Sequence, residues 1–257
     1  MFFLSFGVFM PYQIEVCIDN IESLSTAIKA GATRIELCSS LTLGGLTPSY
    51  GFMLQAKQRA SIPIYAMIRP RQGDFLFSEA EVAIMLEDIK AAKRAKLDGV
   101  VIGILTAQAE VNYEACQKLM DAATGMGVTF HRAIDQCKNI TQALEDIIEL
   151  GCERVLTSGQ KSTAEQGVAT LANMHQQAAG RINIMAGAGV NASNAQYIIE
   201  QSGVNELHLS GKSVRPSHML HIQDEAQMGA NTIDDFQIPV TDFNAIQAMK
   251  QVLDNIR

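Results

Sequence analysis

The sequence predicts a single-domain α/β protein of the (β/α)8 TIM-barrel class. Along the 257 residues, amphipathic runs of helix length alternate with short apolar runs rich in β-branched residues, and a glycine commonly stands at the joint. Eight strands and eight helices can be counted in this way, which is the composition of a closed (β/α)8 barrel. The alternative, a doubly wound open sheet, more often has fewer strands.

The strands are predicted, in chain order, at 13–17, 34–38, 63–69, 99–105, 127–132, 154–158, 182–187 and 206–210. A glycine at the joint is expected to end the preceding helix, because glycine accepts a left-handed backbone without strain. Gly31, Gly99 and Gly127 are predicted helix stops of this kind.

Two helix starts and the last helix can also be predicted. Ser78 and Glu81 have the spacing of a capping box, and Pro48 stands where a first helical residue is expected. The eighth helix is "FNAIQAMKQVLDNI" near the C-terminus.

The barrel domain is predicted to occupy residues 10–257. The opening stretch "MFFLSFGVFM" has neither the basic segment nor the cleavage site of a signal peptide, and it is too short to cross a membrane. Residues 1–9 are therefore expected to be a disordered or over-called extension, with Met1 or Met10 as the start. The stretch 211–240 before the last helix is predicted to lie over the strand ends as a lid.

Charge and cysteine usage limit the partners. The formal net charge of −7 argues against a nucleic-acid partner, which would need a basic surface. The five cysteines form no CxxC pair and no secreted-type framework, so they fit a reducing cytoplasm. These features predict a cytoplasmic protein without a nucleic-acid or membrane partner.

The predicted strands carry unusual side chains on one face. Strand side chains alternate between faces, and helices cover the outside of a barrel, so the apolar set faces outward. The set that then faces inward contains Glu15, Cys17, Glu36, Cys38, Tyr65, Met67, Arg69, Thr129, His131, Glu206, His208 and Ser210. Barrel interiors are normally filled by branched apolar residues, and buried charges are costly unless paired. Function is the expected reason for this polarity.

The candidate catalytic residues are Glu15, Glu36, Arg69, His131 and His208. Glu15 and Glu36 are expected at the same level of adjacent strands, where they would titrate as a coupled pair with one raised pKa. Such a pair supplies an acid and a base at neutral pH. The substrate would be a small carboxylated or phosphorylated metabolite, and the reaction a lyase, isomerase or hydrolase step.

The candidate anion-binding residues follow the strand ends, where barrel active sites lie. They are Arg69, Arg71, Arg132, Gly187, Gly189 and Ser210, in the segments "MIRPRQGDF", "TFHRAID", "MAGAGV" and "LSGKS". Backbone N–H groups of such glycine-rich loops can bind phosphate. The alternative for the loop of Arg71 is a salt-bridged surface loop.

Cys17 and Cys38 hold matching positions on the first two strands, two residues after a glutamate in each. A pair of soft thiolates favours Cu(I). The alternative is that both thiols are apolar core fillers, since free cysteine is often buried.

The blocks "IEVC", "RIELCSSLTLGGLTPS", "IRPRQGDF", "VTFHRAIDQC", "RVLTSGQKS" and "IMAGAGV" resemble the signature of the CutC family of copper homeostasis proteins. The resemblance runs in order from residue 12 over nearly the whole chain. It implies a cytoplasmic, usually oligomeric barrel that binds Cu(I) through Cys17 and Cys38. Copper binding is therefore the first interpretation of the sequence, and an enzyme that acts on a small anionic metabolite is the alternative. The sequence departs from the family pattern at "LSGKS", where Ser-Ala is expected, which weakens a family-wide role for Ser210.

Overall fold

The structure is a computed structural model that describes residues 12–221, 223, 226 and 234–256. The predicted extension at 1–9 and part of the predicted lid at 211–240 lie outside the described residues. Within the described part of the chain, eight parallel strands close a barrel in chain order. The predicted (β/α)8 class is confirmed.

Strands β1 to β8 span Gln13–Ile18, Arg34–Leu37, Ile64–Met67, Gly99–Ile102, Gly127–Phe130, Arg154–Thr157, Asn183–Ala186 and Glu206–Leu209. Each lies within a few residues of its predicted position. The third, fourth and fifth strands end earlier than predicted, so that Arg69 and His131 lie in the loops just beyond β3 and β5.

Helices α1 to α8 span Ile21–Ala30, Tyr50–Arg59, Glu79–Arg94, Tyr113–Ala122, Ile140–Glu149, Val168–Ala178, Ala195–Ser202 and Phe243–Asn255. The capping box of Ser78 and Glu81 at the start of α3 is confirmed. The prediction for Pro48 was wrong: α2 begins at Tyr50, because the side chain of Ser49 caps it by accepting a hydrogen bond from the N–H of Phe52 at 3.2 Å.

The glycines between the predicted helices and strands have two different roles. Gly31 ends α1 in the left-handed region with φ 108°, as predicted. Gly99 and Gly127 were wrongly predicted as helix stops, since they are the first residues of β4 and β5. A Cβ on Gly99 would lie 2.1 Å from Cε1 of Tyr65, and one on Gly127 would lie 2.1 Å from the hydroxyl of Tyr65. Both glycines therefore make room for the Tyr65 ring inside the barrel.

The apolar core lies between the strands and the helices. Val16, Ile35 and Leu37 are fully buried in this layer, as the alternation of the strands predicts. A separate, smaller cluster of Cys38, Tyr65, Met67 and Val101 occupies part of the barrel interior. The two faces of each strand therefore belong to different environments, and the polar face is the inner one.

Part of the predicted lid forms a two-stranded antiparallel hairpin of β9, Lys212–Pro216, and β10, Gln237–Thr241. The hairpin packs on α1. Arg215 pairs with Glu22 at 2.8 Å. The N–H of Thr241 donates to the hydroxyl of Ser23 at 2.9 Å. These contacts join the hairpin to the helix that follows β1.

The room left for Tyr65 can be tested with Gly99→Ala. The added methyl would overlap the Tyr65 ring, so we expect a loss of about 1–3 kcal/mol in the free energy of unfolding in urea. Gly51→Ala is the matched control, because a Cβ on Gly51 in α2 meets nothing within 4 Å. That change should be neutral or stabilising by up to about 1 kcal/mol. Equal stability of the two variants would contradict this account.

Candidate functional site

Four charged side chains form an ion-pair network inside the barrel. Nε of Arg34 lies 2.5 Å from Glu15, and its second terminal nitrogen lies 2.6 Å from Glu206. Arg154 contacts the same carboxylate of Glu206 at 2.9 Å. All four side chains are buried, and each contacts an opposite charge, which is the condition for burying ions at acceptable cost.

The network continues toward the N-terminal end of the barrel. Arg154 pairs with Glu153, and the Tyr65 hydroxyl donates to the same Glu153 carboxylate. The guanidinium carbons of Arg34 and Arg154 lie 5.6 and 5.2 Å from the centre of the Tyr65 ring. Burial and the Glu153 carboxylate raise the pKa of Tyr65 to about 12, so the ring is neutral.

Toward the C-terminal mouth, Glu15 holds His208. Nδ1 of His208 lies 2.8 Å from Glu15, and Nε2 lies 3.8 Å from Glu36. Glu15 and Glu36 were wrongly expected at one level. In the parallel register Glu15 stands opposite Arg34, and Cys17 stands opposite Glu36. Because the strands of a barrel are staggered, Glu36 lies nearer the mouth.

The two carboxyl groups have different protonation behaviour. Burial alone would raise the pKa of Glu15, but the Arg34 charge and the His208 contact lower it to about 2. Burial, together with the Glu15 charge, raises the pKa of Glu36. Burial would lower the pKa of His208, but its contacts with Cys17, Glu36 and Glu15 raise it well above its usual value. The anionic Glu15 therefore favours the protonated form of His208.

The two predicted metal ligands have different surroundings. Ligand atoms of Cys17, Glu36 and His208 all lie within 4.8 Å of one another, and this is the group found among the described residues that could hold a metal ion. Cys38 is not a member of it. Its thiol donates to Glu36 at 3.5 Å, and burial raises its pKa well above the usual value. Both thiols therefore flank Glu36, but only Cys17 joins the ligand group.

A cavity of about 720 Å³ opens at the C-terminal ends of the strands. The predicted site residues that line it are Cys17, Glu36, Arg69, His131, Arg132, Gly189, His208 and Ser210. Glu15, Cys38, Arg71 and Gly187 are not lining residues. Leu41, Met67, Phe75 and Leu156 form apolar parts of the wall.

Arg69 is held by backbone carbonyls and not by carboxylates. One terminal nitrogen donates to the carbonyls of Leu43 and Gly45 at 3.1 and 3.2 Å, and the other donates to that of Gly73 at 2.7 Å. These carbonyls belong to the loops after β2 and β3. The guanidinium therefore joins two loops, and its Nε has no partner among the described residues.

His131 has a fixed tautomer. Its Nδ1 accepts a hydrogen bond from the N–H of Ala133 at 3.2 Å, so the ring hydrogen lies on Nε2. Burial, followed by the Arg69 charge, lowers the pKa of His131 to about 3. The ring is therefore neutral at physiological pH. A Cβ on Gly103 would lie 2.5 Å from the ring, so the lack of a side chain at this glycine leaves room for His131.

Among the described residues, three buried side-chain polar atoms have no hydrogen-bond partner: Oε1 of Glu36, Nε of Arg69 and Nε2 of His131. All three residues line the same cavity. Since buried polar groups are nearly always paired, three unpaired groups on the residues of one cavity make it the candidate site for a polar ligand.

The other predicted anion-binding arginines differ in position. Arg132 lines the cavity and is held by Asp135 at 2.8 Å and by the hydroxyl of Ser158 at 2.9 Å. Arg71 pairs with Glu81 at 2.5 Å and Asp74 at 2.9 Å, which is the salt-bridged loop of the alternative prediction.

The glycine-rich loop after β7 contributes several lining residues. Ala188 and Gly189 have φ values of 79° and 69°, which turn the loop over the cavity. The N–H of Gly187 is already used, because it donates to the carbonyl of Thr157 at 3.0 Å. Lys212, the first residue of β9, also lines the cavity and adds a positive charge.

Sequence reasoning missed Arg34 and Arg154 as members of the inner face. The signal for Arg34 was present, because it stands two residues before Glu36 and so shares its face. Phe75, which lines the cavity beside Arg69 and His131, was missed because loop conformation decides where it lies.

The fold and the cavity at the strand C-termini define a (β/α)8 barrel of the class whose active sites lie at that end. A model of the CutC family matches residues 12–213. A CutC family protein from Vibrio campbellii is 57% identical over 246 residues, which cover 95% of this chain and 100% of the relative. The chain belongs to the CutC family, and the resemblance seen in the sequence is confirmed.

Solved structures agree with this assignment. The structure of a CutC from Streptococcus agalactiae, whose given name refers to copper homeostasis, is similar to this one with a TM-score of 0.74. The two sequences are 35% identical, and the match covers 77% of this chain and 97% of that one. A phosphoribosylanthranilate isomerase from Thermotoga maritima matches 95% of this chain and 99% of its own with a TM-score of 0.57. At 12% identity this second likeness shows the fold alone.

A helix that crosses a membrane must be both long and apolar. No helix within the described residues combines the length and the apolar character that a membrane crossing needs.

The ion-pair network can be tested with Glu15→Gln. The change leaves Arg34 with less compensating charge, and we expect it to lower the free energy of unfolding by about 3–5 kcal/mol. Glu145→Gln is the control, since Glu145 pairs with Arg181 on the surface and exposed pairs contribute little.

The same variant tests the pKa shift of Glu15. In the unfolded chain Glu15 takes up its proton near pH 4.5, and in the folded protein only near pH 2. Its stabilising contribution is present above pH 4.5 and is lost as the pH falls from 4.5 to about 2. Urea unfolding of the wild type should therefore weaken more steeply over this range than that of Glu15→Gln. Parallel curves would show that Glu15 is not held ionised.

Proposed function

We propose that the protein acts on a small carboxylated or phosphorylated metabolite, which binds in the cavity at the C-terminal mouth of the barrel. The observation that carries the proposal is the convergence of Glu36, Arg69 and His131, each with an unpaired buried polar atom, on this one cavity. Leaving such atoms unpaired costs about 1–3 kcal/mol each, and a bound polar ligand removes that cost.

Charge on the cavity wall supports an anionic ligand. Arg69, Arg132 and Lys212 are cationic lining residues. Arg132 is fixed by Asp135, so its guanidinium is oriented before the ligand arrives, and orientation in advance lowers the entropy cost of binding.

The protonation states support acid–base chemistry. Glu36 has a raised pKa and lines the cavity, whereas Glu15 is held anionic beneath it and orients His208. Two carboxyl groups with separated pKa values can act as an acid and a base. The reaction class is therefore a lyase, isomerase or hydrolase step that needs a positioned proton donor and acceptor.

A thermal-shift screen tests this function. Small carboxylated and phosphorylated metabolites should raise the melting temperature of the wild type, because ligands that bind the folded state stabilise it. Arg132→Met should reduce the shift. Arg181→Met is the matched control, since Arg181 precedes β7 and lies at the opposite, N-terminal face. A broad panel that never shifts the wild-type melting curve would refute the proposal.

A second candidate function, copper binding, is favoured by the ligand group of Cys17, Glu36 and His208. The family membership implies a role in copper homeostasis. The donor set fits one copper ion, since thiolate and imidazole both suit copper, while the carboxylate is a harder ligand. Glu15 on Nδ1 of His208 is the kind of second contact that orients a metal-binding imidazole, and it leaves Nε2 toward Cys17 and Glu36.

Competition with a chromophoric Cu(I) chelator under anaerobic conditions tests the metal site. Cys17→Ser and His208→Asn should each weaken binding by about tenfold or more, as loss of a metal contact commonly does. Cys38→Ser is the matched thiol control and should bind nearly as well as the wild type. Equal losses from Cys17→Ser and Cys38→Ser would favour the two-thiolate site that the sequence predicts.

We also propose a cytoplasmic location and a homo-oligomer. The location is supported by five cysteines that are all buried free thiols. The oligomer is supported by the family resemblance in the sequence.

A further inference from the structure

We infer that Arg69 and His131 form an oxyanion-binding pair, in which Nε–H of Arg69 and Nε2–H of His131 donate to one carbonyl or carboxylate oxygen of the ligand. The inference deepens the proposed metabolite function and rests on it. It assigns the part of the ligand that lies at this wall of the cavity.

The Nε–H of Arg69 and the Nε2–H of His131 are donors that have no hydrogen-bond partner among the described residues. Nδ1 of His131 is occupied by the N–H of Ala133, so Nε2 can only donate. The terminal nitrogens of Arg69 are engaged by three backbone carbonyls, and Nε–H is left unpaired. Two unpaired donors without a neighbouring acceptor require an acceptor from the ligand.

Phe75 lies close to both residues. The His131 ring centre lies 4.8 Å from that of Phe75, and the guanidinium carbon of Arg69 lies 5.0 Å from the same ring. Arg69 and His131 are 6% and 3% exposed. The apolar ring limits water at this wall, and hydrogen bonds to a developing negative charge are stronger where water is excluded.

The arrangement favours a carbonyl or carboxylate oxygen over a phosphate. Phosphate recognition by arginine commonly uses two parallel N–H groups of the fork. Here both N–H groups of one terminal nitrogen of Arg69 and one N–H of the other are tied to the loops after β2 and β3, so the fork of the two terminal nitrogens is not open to a ligand. A single oxygen with two lone pairs matches two single donors.

Oxalate is the probe, because it is a small planar dianion that resembles the enolate of a 2-oxo acid. Calorimetric titration of the wild type should show oxalate binding. His131→Phe keeps a ring beside Phe75 but removes the donor, and we expect binding about tenfold weaker or worse. His131→Gln restores an N–H donor and should recover part of the affinity. Arg181→Met should bind oxalate as the wild type does.

A spectroscopic readout separates a ligand contact from a structural role. In protein with ¹⁵N-labelled histidine, the Nε2–H proton resonance of His131 should move downfield when oxalate binds, because the proton then enters a charge-assisted hydrogen bond. Arg69→Met should weaken oxalate binding as well. Since Arg69 also joins two loops, His131→Phe is the deciding variant.

The outcomes separate this inference from the function on which it rests. Two results would overturn the oxyanion pair. One is that His131→Phe binds oxalate as well as the wild type does. The other is that His131 is needed to bind inorganic phosphate but not oxalate. If oxalate does not bind while members of the metabolite panel still raise the melting temperature, the pair is wrong and the proposed function stands. If neither oxalate nor any metabolite binds, both are wrong.

Discussion

The ion pairs of Arg34 with Glu15 and Glu206 are the interaction on which the rest of the barrel interior depends. Arg34 is 5% exposed, and without it two carboxylates would face each other in an environment of low dielectric constant. By keeping Glu15 anionic, Arg34 fixes the imidazole of His208. That imidazole in turn lies beside Cys17 and Glu36 at the base of the cavity.

The polar groups of the barrel interior thus form two sets, one fully paired and one with unpaired atoms. In the lower part, Arg34, Arg154 and Glu206 satisfy one another and contribute a rigid base. In the upper part, Glu36, Arg69 and His131 line the cavity, and each has one buried polar atom without a partner among the described residues. A buried network is stable only when its members are satisfied, so the base provides structure, and the mouth is where the proposed ligand would supply the missing partners.

Alternation along the strands was enough to predict that Glu15, Glu36 and His208 face inward, because side-chain direction in a strand depends on local geometry. It did not predict their partners. Arg34 reaches Glu206 across an intervening strand, and that contact depends on the stagger of the closed barrel. The loop residues were hardest: the contacts of Arg69 are backbone carbonyls, whose positions no side-chain pattern records.

The network also joins the two ends of the barrel. Its contacts run without a break from Glu153 at the N-terminal end, through Arg154, Glu206, Arg34 and Glu15, to His208 beneath the cavity. The Glu153 side chain is 39% exposed, whereas the members beyond it are shielded from solvent. The barrel axis is therefore one continuous run of opposite charges, and its single solvent-exposed end is the carboxylate that neutralises Arg154.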